Sequence, residues 1–276
     1  MLTVKAALEE ARATIERIDA QVLLGHVLER DRAWLAANPM HVLTEGQDAR
    51  FDLAIARRAM GDPVAYLIGK REFYGRDFTV GPAVLIPRPE TETLVEAVLK
   101  VLGHAGDAWR IADLGTGSGA IAVTLACELA HARIVATDLS ADALGIASTN
   151  ARAHEVAERI ELVQGAWFVP LAGRRFDVVV SNPPYVATKD EHLEQGDLRF
   201  EPRLALTDGS ADGLDSIRTI VQGALSHLEP GGLLALEHGY DQVQAVQELL
   251  AGAGFEARES VRDLAGIARV ALGRKP

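Results

Sequence analysis

From residue 109 onward the chain alternates short β-branched or apolar runs with stretches of helical periodicity, a pattern that few folds accept. The strand candidates are Arg110–Leu114, Arg133–Thr137, Arg159–Val163, Phe176–Ser181, Leu233–Glu237, Glu256–Val261 and Ala268–Leu272. Helical patterns fall between them, which implies right-handed βαβ units and a doubly wound α/β sheet. Only Arg262–Ile267 separates the last two runs. They read as a terminal hairpin that places one antiparallel strand in the sheet. Open sheets of this kind bind ligands beyond the carboxyl ends of their strands, so the residues at those ends carry the functional reading.

The first strand ends in Asp113-Leu114-Gly115-Thr116-Gly117-Ser118-Gly119-Ala120. Glycines there permit positive φ and let a ligand approach the backbone, while the following helix offers free N–H groups. Asp138 ends the second strand, where a carboxylate can accept both hydroxyls of an adenosine ribose. Together they point to an adenosine cofactor. Gly115, Gly117 and Ala120 also satisfy the looser dinucleotide fingerprint, so NAD competes. A third glycine at 119 and an acid at Asp113 tilt against it, because that acid would repel a pyrophosphate. S-adenosylmethionine has no phosphates, and its sulfonium and ammonium tolerate the acid.

The fourth strand ends in Asn182-Pro183-Pro184-Tyr185. Neither proline can donate to a ladder and both fix φ, so the chain leaves the sheet abruptly. Asn182 brings a carbonyl and an NH2 to this corner, Pro183 a backbone carbonyl, and Tyr185 an aromatic cap. A plain structural reading has the prolines ending a strand and Tyr185 packing as a lid. Asparagine directly before the pair and an aromatic directly after is a narrower pattern. Hydride transfer has no use for such a corner, so it decides for methyl transfer.

Upstream, residues 1–71 read as a small helical bundle. Asp19 is the expected cap of its second helix, a turn around Asp31–Leu35 follows, and Thr44-Glu45-Gly46-Gln47 fits a capping box. Residues 72–88 read as a linking β-hairpin, with Gly81-Pro82 between its apolar runs, and 89–276 as the catalytic domain. Whether Pro87–Thr91 touches a ligand is left open by its pattern. The net charge of −11 argues against a broad nucleic-acid surface. Cys127 is the only cysteine, which excludes an internal disulfide and a thiolate metal cluster; the eight histidines show no zinc-ligand spacing, so no metal is expected. No 18-residue apolar span or signal-peptide pattern is seen, and a cytoplasmic protein with no membrane attachment is expected.

Asp113–Ala120, Asp138 and Asn182-Pro183-Pro184-Tyr185 resemble the seven-stranded S-adenosylmethionine methyltransferases that act on amide or exocyclic amino nitrogen. Pro63-Val64-Ala65-Tyr66, Glu72-Phe73-Tyr74-Gly75, Ile86-Pro87-Arg88-Pro89-Glu90-Thr91-Glu92 and Glu237-His238-Gly239 narrow the resemblance to the PrmC/HemK glutamine methyltransferases, over essentially the whole chain. It implies a Rossmann-like seven-stranded class I methyltransferase domain behind a helical bundle that recognises substrate. It also implies N5-methylation of the glutamine in the Gly-Gly-Gln loop of class 1 peptide chain release factors, with S-adenosylhomocysteine as by-product. Carried over residue by residue, Gly115, Thr116, Gly117, Ser118, Gly119 and Asp138 hold the cofactor, Trp167 flanks its adenine, and Asn182 touches cofactor and substrate. Asn182, Pro183, Pro184 and Tyr185 bind the substrate amide, with Asn182, Pro183 and Tyr185 as the catalytic set. The Asn182 and Pro183 carbonyls would each accept one amide N–H, and Tyr185 would pack on the flat amide. Glu201-Pro202 and Asp212-Gly213 could shape a peptide channel, though turn chemistry explains them equally. The protein is expected to be a monomer holding no stable nucleic acid. A base-amino methyltransferase of the adenine N6 type and a non-catalytic cofactor-binding module are the alternatives.

Overall fold

Among the described residues, helices and one isolated β-bridge, Thr3 with Val42, make the first of two compact units, Met1–Lys70 with Gln195–Phe200. The computed structural model describes residues 2–103 and 108–276. Its first helices are α1 (Val4–Ala11), α2 (Arg17–Leu28), α3 (Arg32–Ala37), α4 (Glu45–Ala59) and α5 (Val64–Ile68). The capping box forms as expected: Thr44 Oγ1 accepts from Gln47 N at 3.3 Å and Gln47 Oε1 accepts from Thr44 N at 2.9 Å. The Asp19 expectation fails. Helix α2 begins after Glu16, and Asp19 lies inside its first turn, where the helix dipole favours an acid and Arg58 pairs with it at 2.7 Å. The stretch expected to be a turn at Asp31–Leu35 is instead the start of α3, because Asp31 accepts from Trp34 N at 2.7 Å and caps it. Leu23, Leu24, Leu43 and Phe51 fill the interior of this unit.

The second unit, Arg71–Glu194 with Glu201–Pro276, holds the sheet. The hairpin before it is shorter than expected, β1 (Lys70–Phe73) and β2 (Arg76–Thr79). Tyr74 and Gly75 turn it, both at positive φ (52° and 70°), as a two-residue hairpin turn requires. Gly81-Pro82 therefore lies outside the hairpin, and Val84–Ile86 is not a strand. Ile86 gives its N–H to the Glu201 carboxylate at 2.9 Å rather than to a ladder partner. A short 3₁₀ turn, Pro89–Thr91, then leads into α6 (Glu92–Leu102).

The remaining elements are β3 (Arg110–Leu114), α7 (Ala120–Glu128), β4 (Arg133–Asp138), α8 (Ala141–Ala153), β5 (Ile160–Gln164), β6 (Phe176–Ser181), α9 (Arg203–Leu206), α10 (Asp215–His227), β7 (Leu228–Glu237), α11 (Val243–Ala253), β8 (Glu256–Arg262) and β9 (Ala268–Arg274). Seven strands pair in the order β5-β4-β3-β6-β7-β9-β8, and β9 runs antiparallel to both neighbours. Successive strand residues feed opposite cores. Ile111, Val178, Val180, Leu233 and Ala235 join one with α6 and α7, while Ala112, Val179, Leu234 and Leu236 join the other with α10 and α11. That alternation is the period of two expressed on a sheet covered on both faces. Each fully buried Val or Leu contributes about 1.5–3 kcal/mol, so strand register is tightly held.

The order reverses between β3 and β6. Leu114 pairs with Ser181, so Gly115 and Asn182 leave adjacent strands side by side. On the far side Ser181 pairs with Leu236, which puts Glu237 next to Asn182.

Candidate active site

A cavity of about 580 Å³ lies at this switch point, within the size range of small-molecule sites. Gly115, Thr116, Gly117, Ser118, Asp138, Trp167, Asn182 and Pro184 all line it, whereas Gly119, Pro183 and Tyr185 do not. Gly119 shapes the loop from behind. It caps α7 at φ 81°, and a Cβ there would stand 3.1 Å from Ala147 Cβ on α8. Asp138 braces the loop directly, Oδ2 accepting from Gly117 N and Oδ1 from Ser140 N, each at 2.9 Å. Trp167 is held at φ 49°, a conformation rare for a large side chain and most often stored at functional sites. Its ring packs over Gly115, where an added Cβ would come within 3.2 Å of it.

Beneath the loop Asp113 is fully buried. Thr116 Oγ1 donates to its Oδ2 at 2.6 Å, and its Oδ1 has no hydrogen-bond partner. Burial pushes its pKa from 3.8 up to about 7, against the pull of the Thr116 hydroxyl. Asn150, also buried, reaches the same loop from α8. Its Nδ2 donates to Ser118 O at 2.8 Å and to Thr79 O at 3.0 Å, and its Oδ1 accepts from Thr79 N at 2.7 Å.

At the Asn-Pro-Pro-Tyr corner the Asn182 amide donates through Nδ2 to Thr91 Oγ1 at 3.1 Å, which leaves its carbonyl as the end for another partner. Tyr185 points away from the cavity, its hydroxyl donating to the buried Glu237 Oε1 at 3.1 Å. Burial and the adjacent Glu237 raise the phenol well above its usual range, so it remains a donor. Burial also raises Glu237 from 4.5 to about 7, while the neighbouring hydroxyls of Thr91 and Tyr185 and the charge of Arg269 oppose the rise. The backbone of the corner is fixed separately. Gln242 Nε2 donates to Tyr185 O at 3.0 Å and to Asp212 O at 2.9 Å, while its Oε1 accepts from Gly239 N at 2.8 Å. Gly213, at φ 68°, passes so close to the Tyr185 carbonyl that any Cβ would collide with it. Glu201 is buried against Ile86 N and the Arg88 guanidinium, and Arg88 lines the cavity. Glu201-Pro202 thus serves the wall of the cavity, while Asp212-Gly213 backs the Tyr185 carbonyl.

The chain is similar in sequence to known proteins over most of its length. A family described as PrmC N-terminal domain matches residues 3–69, and one described as methyltransferase small domain matches residues 90–197. The release factor glutamine methyltransferase of Xylella fastidiosa (strain Temecula1) is 51% identical over 98% of this chain and 98% of its own length. That of Neisseria gonorrhoeae is 50% identical over 94% of each chain. This chain belongs to the release factor glutamine methyltransferases. Among solved structures, a T. thermophilus 16S rRNA methyltransferase in complex with AdoMet and guanosine aligns with a TM-score of 0.56 at 21% identity, covering 75% of this chain and 50% of that one. That likeness concerns the fold, a Rossmann-like class I methyltransferase sheet.

The residues present fit the adenosyl cofactor of such enzymes. A Cβ added at Gly117 would meet nothing within 4 Å, so the loop's bare backbone faces open space. Beneath it Asp113 Oδ1 is a buried acceptor with no hydrogen-bond partner, suited to a cationic ligand, whose charge would favour the ionised carboxylate. Thr91, Asn150 and Gln242 went unread in the sequence as parts of the site. Thr91 stood within a motif, but no periodicity announces a hydroxyl that meets a side chain 91 residues away. Asn150 is an amide inside α8 among buried alanines, and Gln242 stands just before α11 at its N-cap position.

Proposed function

We propose that this protein transfers a methyl group to the side-chain amide nitrogen of the glutamine in the Gly-Gly-Gln loop of class 1 release factors, and that S-adenosylmethionine is the donor. The observation that carries the reading is the orientation of Asn182. With its NH2 engaged by Thr91, the carbonyl is the end presented to a substrate, and an amide substrate needs acceptors. Full-length identity of about half to release factor glutamine methyltransferases supports the same assignment.

S-adenosylmethionine supplies a methyl group already activated on a sulfonium. Gly115 to Ser118 would hold it along the loop, Asp138 at the ribose, Trp167 against the base and Asp113 beneath the amino-acid end. A carboxamide nitrogen is barely basic, so orientation matters more than proton removal. The Asn182 carbonyl and the Pro183 carbonyl would each accept one N–H of the substrate glutamine, which aims the nitrogen in a single direction. The same acceptors stabilise the positive charge that grows on nitrogen as it reacts. Pro183 brings an acceptor with no competing donor, and Tyr185 closes the corner while its anchor on Glu237 fixes the ring. We further propose a cytoplasmic monomer that needs no metal and holds no stable nucleic acid. Among the described residues no helix is long and apolar enough to cross a membrane.

The test offers the purified protein radiolabelled S-adenosylmethionine with release factor, its Gln→Ala loop variant, DNA and RNA in parallel. Label is expected in the wild-type release factor alone. Label entering only nucleic acid would make the base-amino reading correct.

A further inference from the structure

The Asn182 amide is useful to the reaction only in one of its two flip states. With the carbonyl toward the substrate it accepts an N–H; flipped, it opposes one donor with another. Nothing in the sequence of the corner itself selects the state, since Asn182 stands between the last residue of β6 and two prolines. The selection comes from outside.

Thr91 stands at the amino end of α6, where a threonine ordinarily spends its oxygen on capping the helix. Here it makes no side-chain cap bond. It is 4% exposed, and its Oγ1 accepts from Asn182 Nδ2 at 3.1 Å. With Thr91 Oγ1 holding the NH2 end of the amide, Asn182 Oδ1 is the end left to the cavity, which both residues line.

We infer that Thr91 is a positioning residue of the methyl transfer, its hydroxyl holding the NH2 end of the Asn182 amide so that the carbonyl faces the substrate. This inference rests on the proposed role of Asn182 as acceptor of the substrate amide. The shape of Thr91 and its hydroxyl are separable. Thr91→Val keeps the shape and removes the hydroxyl, and Thr91→Ser does the reverse.

The experiment measures single-turnover methylation of release factor, with cofactor affinity by titration calorimetry, for wild type, Thr91→Val, Thr91→Ser, Asn182→Ala and the double variant Thr91→Val/Asn182→Ala. Circular dichroism and urea midpoints confirm that each variant is folded. Thr91→Val is expected to lower the rate about 10- to 100-fold, the scale of a misdirected reactive group, with cofactor affinity held within about threefold. Thr91→Ser is expected to recover most of the rate. On the Asn182→Ala background, Thr91→Val should cost nothing further, because its effect passes through the amide already removed. A normal rate in folded Thr91→Val overturns the inference. So does an equal loss in Val and Ser, which would make the residue's packing the cause, and so does a loss that adds to that of Asn182→Ala. Absence of turnover in the wild type would instead refute the proposed function.

Discussion

Replacing Glu237 by glutamine should make the protein more stable, and increasingly so as pH rises. The carboxyl is fully buried, and its pKa stands at about 7 against an ordinary 4.5. In the unfolded chain the group loses its proton near 4.5, whereas the folded protein keeps it until about 7. Through that window the folded state binds more protons, so its stability falls as pH rises. The contribution is fully present below about 4.5 and gone above about 7. At ~1.4 kcal/mol per tenfold change in proton affinity, the loss amounts to roughly 3 kcal/mol. Glutamine has the same shape, keeps an oxygen to accept from Tyr185, and cannot titrate. Urea unfolding of both proteins followed by circular dichroism from pH 5 to pH 8 therefore gives two diverging curves, with the variant's advantage growing by up to ~3 kcal/mol. Asp113, also raised to about 7, bends both curves alike and cancels in the difference. Parallel curves would show that Glu237 already carries its charge in the folded protein at low pH, and the account of its burial would be wrong.

Two further outcomes follow from the site. Asn182→Ala should cut turnover by about 10²-fold or more, the scale of losing an orienting polar group, with S-adenosylmethionine affinity kept within a few fold; a normal single-turnover rate would remove its role. Asp138→Ala deletes the acceptor for two loop N–H groups as well as the proposed ribose contact, so calorimetry should show cofactor binding weakened by about tenfold or more. Unchanged affinity would mean that the ribose lies elsewhere.

The sheet was legible because most strands declared themselves by apolar composition and most crossovers by helical spacing, although between β5 and β6 the expected helix is only a 3₁₀ turn, Val169–Leu171. The glycine loop, Asp138 and the Asn182 corner could be placed on strand ends before any register was known, since ligand chemistry gathers at those ends in such sheets. What escaped was everything that depends on distance in space. Val84–Ile86 has strand composition, yet the partner that takes the Ile86 N–H is a carboxylate 115 residues downstream, so the run is held without a ladder. Asp19 has the composition of a cap, yet Arg58 claims it inside the helix. Thr91, Asn150 and Gln242 are ordinary polar residues by sequence. Their importance comes from being buried against partners mostly distant in sequence, and a linear pattern encodes no burial of that kind. Tyr185 was read as an aromatic cap on the substrate amide, and its anchoring was not legible: Glu237 offers its hydroxyl a buried acceptor.

One amide, Asn150, grips two backbones at once, the Thr79 peptide at the end of the hairpin and the Ser118 carbonyl of the glycine loop. The hairpin that carries the chain into the methyltransferase unit is thus fastened not by a third strand but by a side chain shared with the cofactor loop. Two structures tied by one knot loosen together. Any ligand that stills the loop lends part of its binding free energy to the Thr79 peptide, and by reciprocity any disturbance that frees Thr79 weakens the grip on the ligand by the same amount. The connector is therefore a party to cofactor affinity, although it stands outside the cavity and touches nothing within it.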